Sequence, residues 1–423
     1  MAGLSAVEIG EALESDADRL LTDRLGKAAR SDSPAAGLEA ASEPRLQIFR
    51  GRRILRFDGQ RPLRNGRFLA FHDGVKVAGA IGRLVLDLFL QEGARRLGPD
   101  NALLKVAALV DWSRIEAILH RHKIRSRLGR AGYDPVVLFR CLLLGQWHGL
   151  SDPKLEESLK VRLDFMLFAG LDLHGSVPDE TTHCRFRNAL VEAGAHDDLL
   201  GEICAQLEGH GLKVKSAEAA IIDATLITSA ARPNGHVEGA PEDRKEEDAE
   251  PDPPDVTFSA DPDATWIRKG RKSTLGYKGF ARCDEEGYVD KVHVTPANQA
   301  ESPEFETMIK GANAQRVLAD KAYASKANRA VLRGRHRDGI MRKAARGRPL
   351  RASEKRFNKL ISKRRFRVEQ VFGTAKRLFG LDRARYFGVA RTHAQMAMTA
   401  IAMNLLKAAN KIILTRSPTA LPA

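Results

Sequence analysis

Three carboxylates, Asp223, Asp320 and Glu369, have the type and setting for metal-dependent chemistry on phosphodiesters. Breaking a phosphodiester near neutral pH needs an activated nucleophile and a stabilised leaving oxygen, and two Mg²⁺ ions roughly 3.5–4 Å apart can supply both. Hard cations take oxygen ligands, so such a site calls for several Asp or Glu side chains converging from separate elements. Asp223 closes the apolar run Ala219-Ala-Ile-Ile, and Asp320 closes Arg316-Val-Leu-Ala. Runs of this kind read as buried strands, and neighbouring strand ends of an open sheet come together. Glu369 falls within a long helical stretch, four residues after Arg365 and seven before Lys376, a spacing that puts all three on one helical face. Each acid also has a bland reading: a turn or cap for either Asp, an ion pair with Arg365 for Glu369. Asp284, Asp290, Glu301 and Asp338 compete as ligands, but they fall in turns, on a charged strand or at a helix start, where the bland reading is the better one.

The charge around Glu369 supports the same chemistry. Between Ser325 and Arg391 stand 22 Lys and Arg against four acids, a net +18 that exceeds the +15 of the whole chain. The basic excess is therefore local. Arg364, Arg365, Arg367, Lys376 and Arg377 crowd one helix that cannot neutralise itself, and backbone phosphates of DNA are the partner that fits, with counterion release on binding. A lone acid in such a field stays ionised and available to a cation. A generally basic, Arg-rich composition is the alternative, and it does not explain the clustering.

The elements that must position these residues follow from periodicity. From Ala217 on, the order is strand (ending at Asp223), a hairpin of Gly276–Cys283 and Tyr288–Thr295, a short helix Pro303–Gly311, and a strand ending at Asp320. Then come a helix Ser325–Leu332, a short strand Gly339–Arg342, and helices Ser353–Phe379 and Thr392–Ile413. This is an α/β arrangement, a mixed sheet flanked by helices. An acidic, proline-rich segment, 230–263, interrupts it as a loop. Before the sheet, 99–212 is helical throughout: Leu103–Val110, Arg114–His120, Pro135–His148 stopped by Gly149, a helix capped by Asp152 with Pro153 behind it, and another opened by Asp179. Short helices and tight turns suit a helix-turn-helix type of bundle, in which Arg185 and Arg187 are candidate DNA contacts; an all-helical dimerisation domain is the alternative.

Residues 1–98 form an extension without a clean period: a helix at Val7–Leu25, a linker-like Ser31–Pro44, and a helix at Ile81–Arg95. Residues 414–423 read as a flexible tail. At 423 residues, with 43% hydrophobic and 29% charged residues, the chain has room for two or three units of roughly 100–200 residues each. Cys141, Cys184, Cys204 and Cys283 form no CxxC pair, which argues against a zinc site or a disulfide scaffold and for reduced thiols in a cytosolic protein. No apolar run reaches the roughly 18 residues that a membrane span requires.

Several short motifs together resemble bacterial insertion-sequence DDE transposases of the "insertion sequence five" family, over about Asp100 to Ile413. In the helical part they are Val110-Asp-Trp, Tyr133-Asp-Pro135 and Asp179-Glu-Thr-Thr-His-Cys-Arg-Phe-Arg187. In the core they are Ile222-Asp-Ala-Thr225, Trp266-Ile-Arg-Lys-Gly270, Gly276-Tyr-Lys278, Val294-Thr-Pro-Ala-Asn298, Ala319-Asp-Lys-Ala-Tyr323 and Arg367-Val-Glu-Gln-Val-Phe-Gly373. Arg365, Glu369 and Lys376 fit the family's signature around its Glu, with Ser362 where a Tyr is expected. The resemblance implies an RNase H-like catalytic core preceded by the helical domain. It also implies Asp223, Asp320 and Glu369 as ligands of two Mg²⁺ ions, with Mn²⁺ as a substitute. Double-stranded DNA, as element ends and target, would be the partner of a homo-oligomer in the bacterial cytoplasm at the nucleoid. A DNA-binding relative without activity, or a structure-selective nuclease on the same core, stays open at this point.

Overall fold

The computed structural model describes residues 45–49, 52–56, 92–98, 100–124, 132–173, 175–213, 217–233 and 259–412. The expected helix at Val7–Leu25, the Ser31–Pro44 linker, most of the Ile81–Arg95 helix, most of the acidic loop and the 414–423 tail lie outside these residues. The chain divides into two units, Met1–Val77 and Ala78–Ala423. In the first, strands β1 (Arg45–Phe49) and β2 (Arg52–Arg56) form an antiparallel hairpin that periodicity alone does not suggest.

Among the described residues of the larger unit, the first element is a short helical turn at 92–97. Ala94 on it packs with Leu104 and Leu167, so this end of the expected extension belongs to the body that follows. Seven helices come next: α1 (Ala102–Leu109), α2 (Trp112–Arg121), α3 (Pro135–His148), α4 (Asp152–Val161), α5 (Leu163–Ala169), α6 (Glu180–Glu192) and α7 (His196–Gly209). α3 keeps the bounds read from sequence, because Asp134 accepts a hydrogen bond from the Val136 amide at one end and Gly149 takes the left-handed conformation (φ 62°) at the other. The N-cap of α4 is Ser151 and not Asp152. Asp152 is the first helical residue, and its carboxylate is drawn to Arg187 on α6.

The sheet is built from β3 (Ala217–Thr228), β4 (Thr265–Lys269), β5 (Lys272–Cys283), β6 (Val289–Pro296), β7 (Ala314–Ala319) and β8 (Arg337–Ile340). β5 lies antiparallel to β3 and carries both β4 and β6 on its other edge; β7 and β8 follow β3 in parallel. The result is the mixed sheet expected. β4 has no apolar run to announce it, because it is a polar edge strand. It joins β5 through the two-residue Gly270-Arg271 turn, where Gly270 supplies the φ of +63° such hairpins need. Gly276 lets β5 lie close on β3: a Cβ there would stand 2.1 Å from the Ile227 carbonyl oxygen.

Side chains alternate across the sheet with the strand period of two. One face sends Ala220, Ile222, Phe280, Val317 and Ala319 into a core with α8 (Phe305–Ile309) and α9 (Lys326–Leu332). The other sends Ala219, Ile221, Ala281 and Leu318 into the main core, with α10 (Ala352–Phe379) and α11 (Val389–Lys411). That core continues without a break into the helical region. α11 packs against β5 and β6 and also against α1, α3 and α7, and Trp147 Nε1 donates to the Ala402 carbonyl at 2.8 Å. Among the described residues no helix is long and apolar enough to cross a membrane.

Candidate active site

Asp223 does not end its strand. β3 runs five residues further, held by β5, and Asp223 lies opposite Ala281. What ends near Asp223 is the pairing with β7, whose last registered pair is Ile221↔Leu318. Asp223 and Asp320 each come two residues after that pair, and Asp223, on the same side of β3 as Ile221, meets Arg365 on α10. Asp320 has just left β7 and its carboxylate accepts from the Ala322 amide, capping a 3-10 turn at Lys321–Tyr323. The cap and the ligand readings of Asp320 are thus compatible.

Asp223 is largely buried, and burial pushes its carboxyl up to about 6, against the pull of Arg365 and the Ala224 amide; the neighbouring carboxylates of Asp320 and Glu301 push it further up. Arg365 Nη2 lies 2.7 Å from Asp223 Oδ2. Tyr323, fully buried, completes the group. Its hydroxyl has no hydrogen-bond partner, and burial together with Glu301, Asp223 and Asp320 holds its proton on well beyond the ordinary phenol range. Glu301 reads from sequence as a helix start, yet with Asp320 it acts on both Asp223 and Tyr323. Three residues after the Val294–Asn298 motif, it gives no sign of this in its own spacing. The other competitors have structural work. Asp284 accepts from the Tyr288 and Glu286 amides, Asp290 holds Arg282 at 2.8 Å, and Asp338 takes Arg329 and Arg342.

Glu369 is exposed and has neither hydrogen bond nor ion pair among the described residues. Arg365, its partner in the bland reading, is turned to Asp223 instead. Lys376 Nζ donates to the Leu226 carbonyl at 2.8 Å, so the residues one turn before and two turns after Glu369 both reach β3. The helical face read from spacing is therefore the edge of α10 that borders β3. No three Asp, Glu, His or Cys side chains among the described residues stand close enough to hold one ion together.

The candidate DNA contacts divide. Arg185 and Arg377 are exposed. Arg364, half exposed, pairs with Glu218 at 2.7 Å, and Arg367, exposed, donates to the Glu285 carbonyl at 3.0 Å and to Gln370; such surface bonds exchange readily for phosphates. Arg187 does not belong with them. Its guanidinium is bonded to Asp152 and lies over the Tyr386 ring at 5.0 Å, tying α6 to α4 and to the segment before α11. Arg365 is buried and Lys376 half-buried, both spent on β3. Among the described residues the four cysteines are free, with Cys184 exposed and the rest buried.

Comparison with known proteins adds the following. Residues 215–405 match the transposase DDE domain family, and residues 92–189 match a further transposase domain (DUF772). The transposase for insertion sequence element IS1106 of Neisseria meningitidis serogroup B is 41% identical over 230 residues, covering 54% of this chain and 78% of that protein. Among solved structures, two Mos1 transposase paired-end complexes align faintly. One has a TM-score of 0.18 at 12% identity, covering 62% of this chain and 83% of that one. The other has 0.17 at 13%, covering 65% and 88%.

Proposed function

Because the chain belongs to the DDE transposase family of bacterial insertion sequences, we propose that it binds the ends of its element, hydrolyses a phosphodiester there and joins the freed 3′-OH to target DNA. The observation that carries the catalytic part is the placement of Asp223 on β3 and of Asp320 just past the end of its parallel neighbour β7, beside an edge of α10 that bears an unpaired Glu369. The donor set fits hard divalent cations, Mg²⁺ or Mn²⁺. Asp223 pairs with the buried Arg365, the carboxylates of Asp320 and Glu301 stand near it, and the buried Tyr323 hydroxyl has no partner. An incoming cation with its water shell would relieve both conditions.

In this reading Asp223 and Asp320 hold the metals, and Glu369 supplies the third carboxylate. The ions, when bound, would activate the attacking water or 3′-OH and stabilise the leaving oxygen. The protein's own part is positional. β3 holds Asp223 within the sheet, and the 3-10 turn that follows β7 holds Asp320. α10 aligns Glu369 through Arg365 and Lys376, and Tyr323 can donate to whichever carboxylate faces it. Arg364, Arg367 and Arg377 on the outer face of α10, with Arg185 on α6, would neutralise phosphates and position DNA duplexes for a homo-oligomer to act on.

The test uses the DNA that flanks the gene. Matched inverted repeats, labelled and incubated with the protein and Mg²⁺, should yield 3′-OH ends and then products joined to a second DNA. Cleavage without joining would favour a structure-selective nuclease, and binding without cleavage an inactive DNA-binding relative. Either outcome would contradict the proposal.

A further inference from the structure

A buried cation already sits on the Asp223 carboxylate. The Arg365–Asp223 contact is 2.7 Å, with only 8% and 18% of the two side chains exposed. Otherwise the guanidinium is poorly provided for. Its Nε is buried without an acceptor, and Nη1 reaches only the Met341 sulfur at 3.9 Å, a weak acceptor. A guanidinium carries five N–H donors, so one ion pair is the main thing that keeps this one in place. The same carboxylates face a second unsatisfied donor, the Tyr323 hydroxyl. One helical turn along, Glu369 is within i,i+4 reach of Arg365 and does not pair with it. A permanent strut has its donors met, as Arg282 does with Asp290 and three backbone carbonyls. Arg365 has its charge met and little else.

We propose that Arg365 is a placeholder cation. Its guanidinium occupies the side of Asp223 that a divalent ion takes, keeps the carboxylate compensated until the ion arrives, and is expelled when it binds. The inference rests on Asp223 being a metal ligand. Its physical basis is that a buried carboxylate without a counter-ion is strongly unfavourable, whereas two cations on one carboxylate repel each other. The exchange should cost the wild-type protein part of its metal affinity.

The experiment is a Mn²⁺ titration, read by the EPR signal of free Mn²⁺ and by melting temperature. It compares the unaltered full-length protein with Arg365→Gln and Asp223→Asn at about pH 8, where proton competition is low. A crystal structure of the unaltered protein grown with Mn²⁺ accompanies it. In EDTA, Arg365→Gln should melt below wild type. It should bind Mn²⁺ at least about tenfold tighter, equivalent to about 1.4 kcal/mol. The crystal should show Arg365 Nη2 beyond hydrogen-bond reach of Asp223. Equal or weaker Mn²⁺ binding by Arg365→Gln, or Mn²⁺ on Asp223 with the ion pair intact, would overturn the proposal. Should Arg365→Gln fail to fold, the wild-type crystal decides. Undiminished Mn²⁺ binding by Asp223→Asn is a separate result: it would remove the ligand role of Asp223, and the placeholder with it.

Discussion

Asp223 is where the electrostatics are most specific. Its folded-state carboxyl is raised from the ordinary 3.8 to about 6, chiefly by burial. The sign follows directly: the neutral form favours folding, so that contribution is complete below pH 3.8 and is lost as pH rises through about 6. At neutral pH the ionised group is a cost that a bound cation would offset. A metal must also displace the proton below that pH. Mn²⁺ should therefore raise the melting temperature clearly at about pH 7.5 and little at about pH 5, where the carboxyl is protonated; an equal rise at both would show that the ion binds elsewhere. At Arg187, which is partly buried against Asp152 and Tyr386, replacement by Ala should lower stability by about 1–3 kcal/mol without changing the salt dependence of DNA binding. Denaturant unfolding and a salt titration together check this, and a changed salt slope would return Arg187 to the DNA surface.

At the scale of elements, α10 does two jobs with two faces. Its inner face buries Ile361, Val368, Phe372 and Phe379, and its outer face presents Arg364, Arg367 and Arg377. Replacing Arg364 or Arg367 by Ala should weaken DNA binding and flatten the log–log salt dependence by about one unit for each phosphate left unneutralised; an unchanged slope would leave these arginines merely solvated. Much of this is legible in the sequence. The strands bearing the two Asp, the bounds of α3 and the span of α10 follow from apolar runs, a capping Asp, and glycines that end helices. Less legible is anything set by which elements meet. Asp223 reads as a strand end because its apolar run stops there, but pairing with β5 carries the strand on to Thr228. Arg365 reads as a partner of Glu369 because spacing records only neighbours on the same helix, not the strand beneath it. Glu301 and Tyr323 reach the site through the packing of α8 and the 3-10 turn, which no local period encodes.

At the scale of the whole molecule, the helical region and the sheet share one hydrophobic core through α11, so the larger unit is expected to unfold as one. Its lower boundary lies before Gly98, since Ala94 joins Leu104 and Leu167 and the match to the further transposase domain begins at residue 92. A chain beginning at Ala78 should fold and cleave DNA like the full-length protein. One beginning at Gly98 lacks Ala94 and should melt lower; equal melting temperatures for the two would show that the 92–97 turn adds nothing. The proposed activity needs Asp223 as a residue of the chemistry and not of DNA recognition. The most direct measurement is cleavage of end-labelled repeat DNA in Mg²⁺ by wild type and Asp223→Asn, with affinity for the same DNA measured in parallel. The expected result is loss of strand cleavage with end binding nearly intact. Cleavage by Asp223→Asn near the wild-type rate would contradict it.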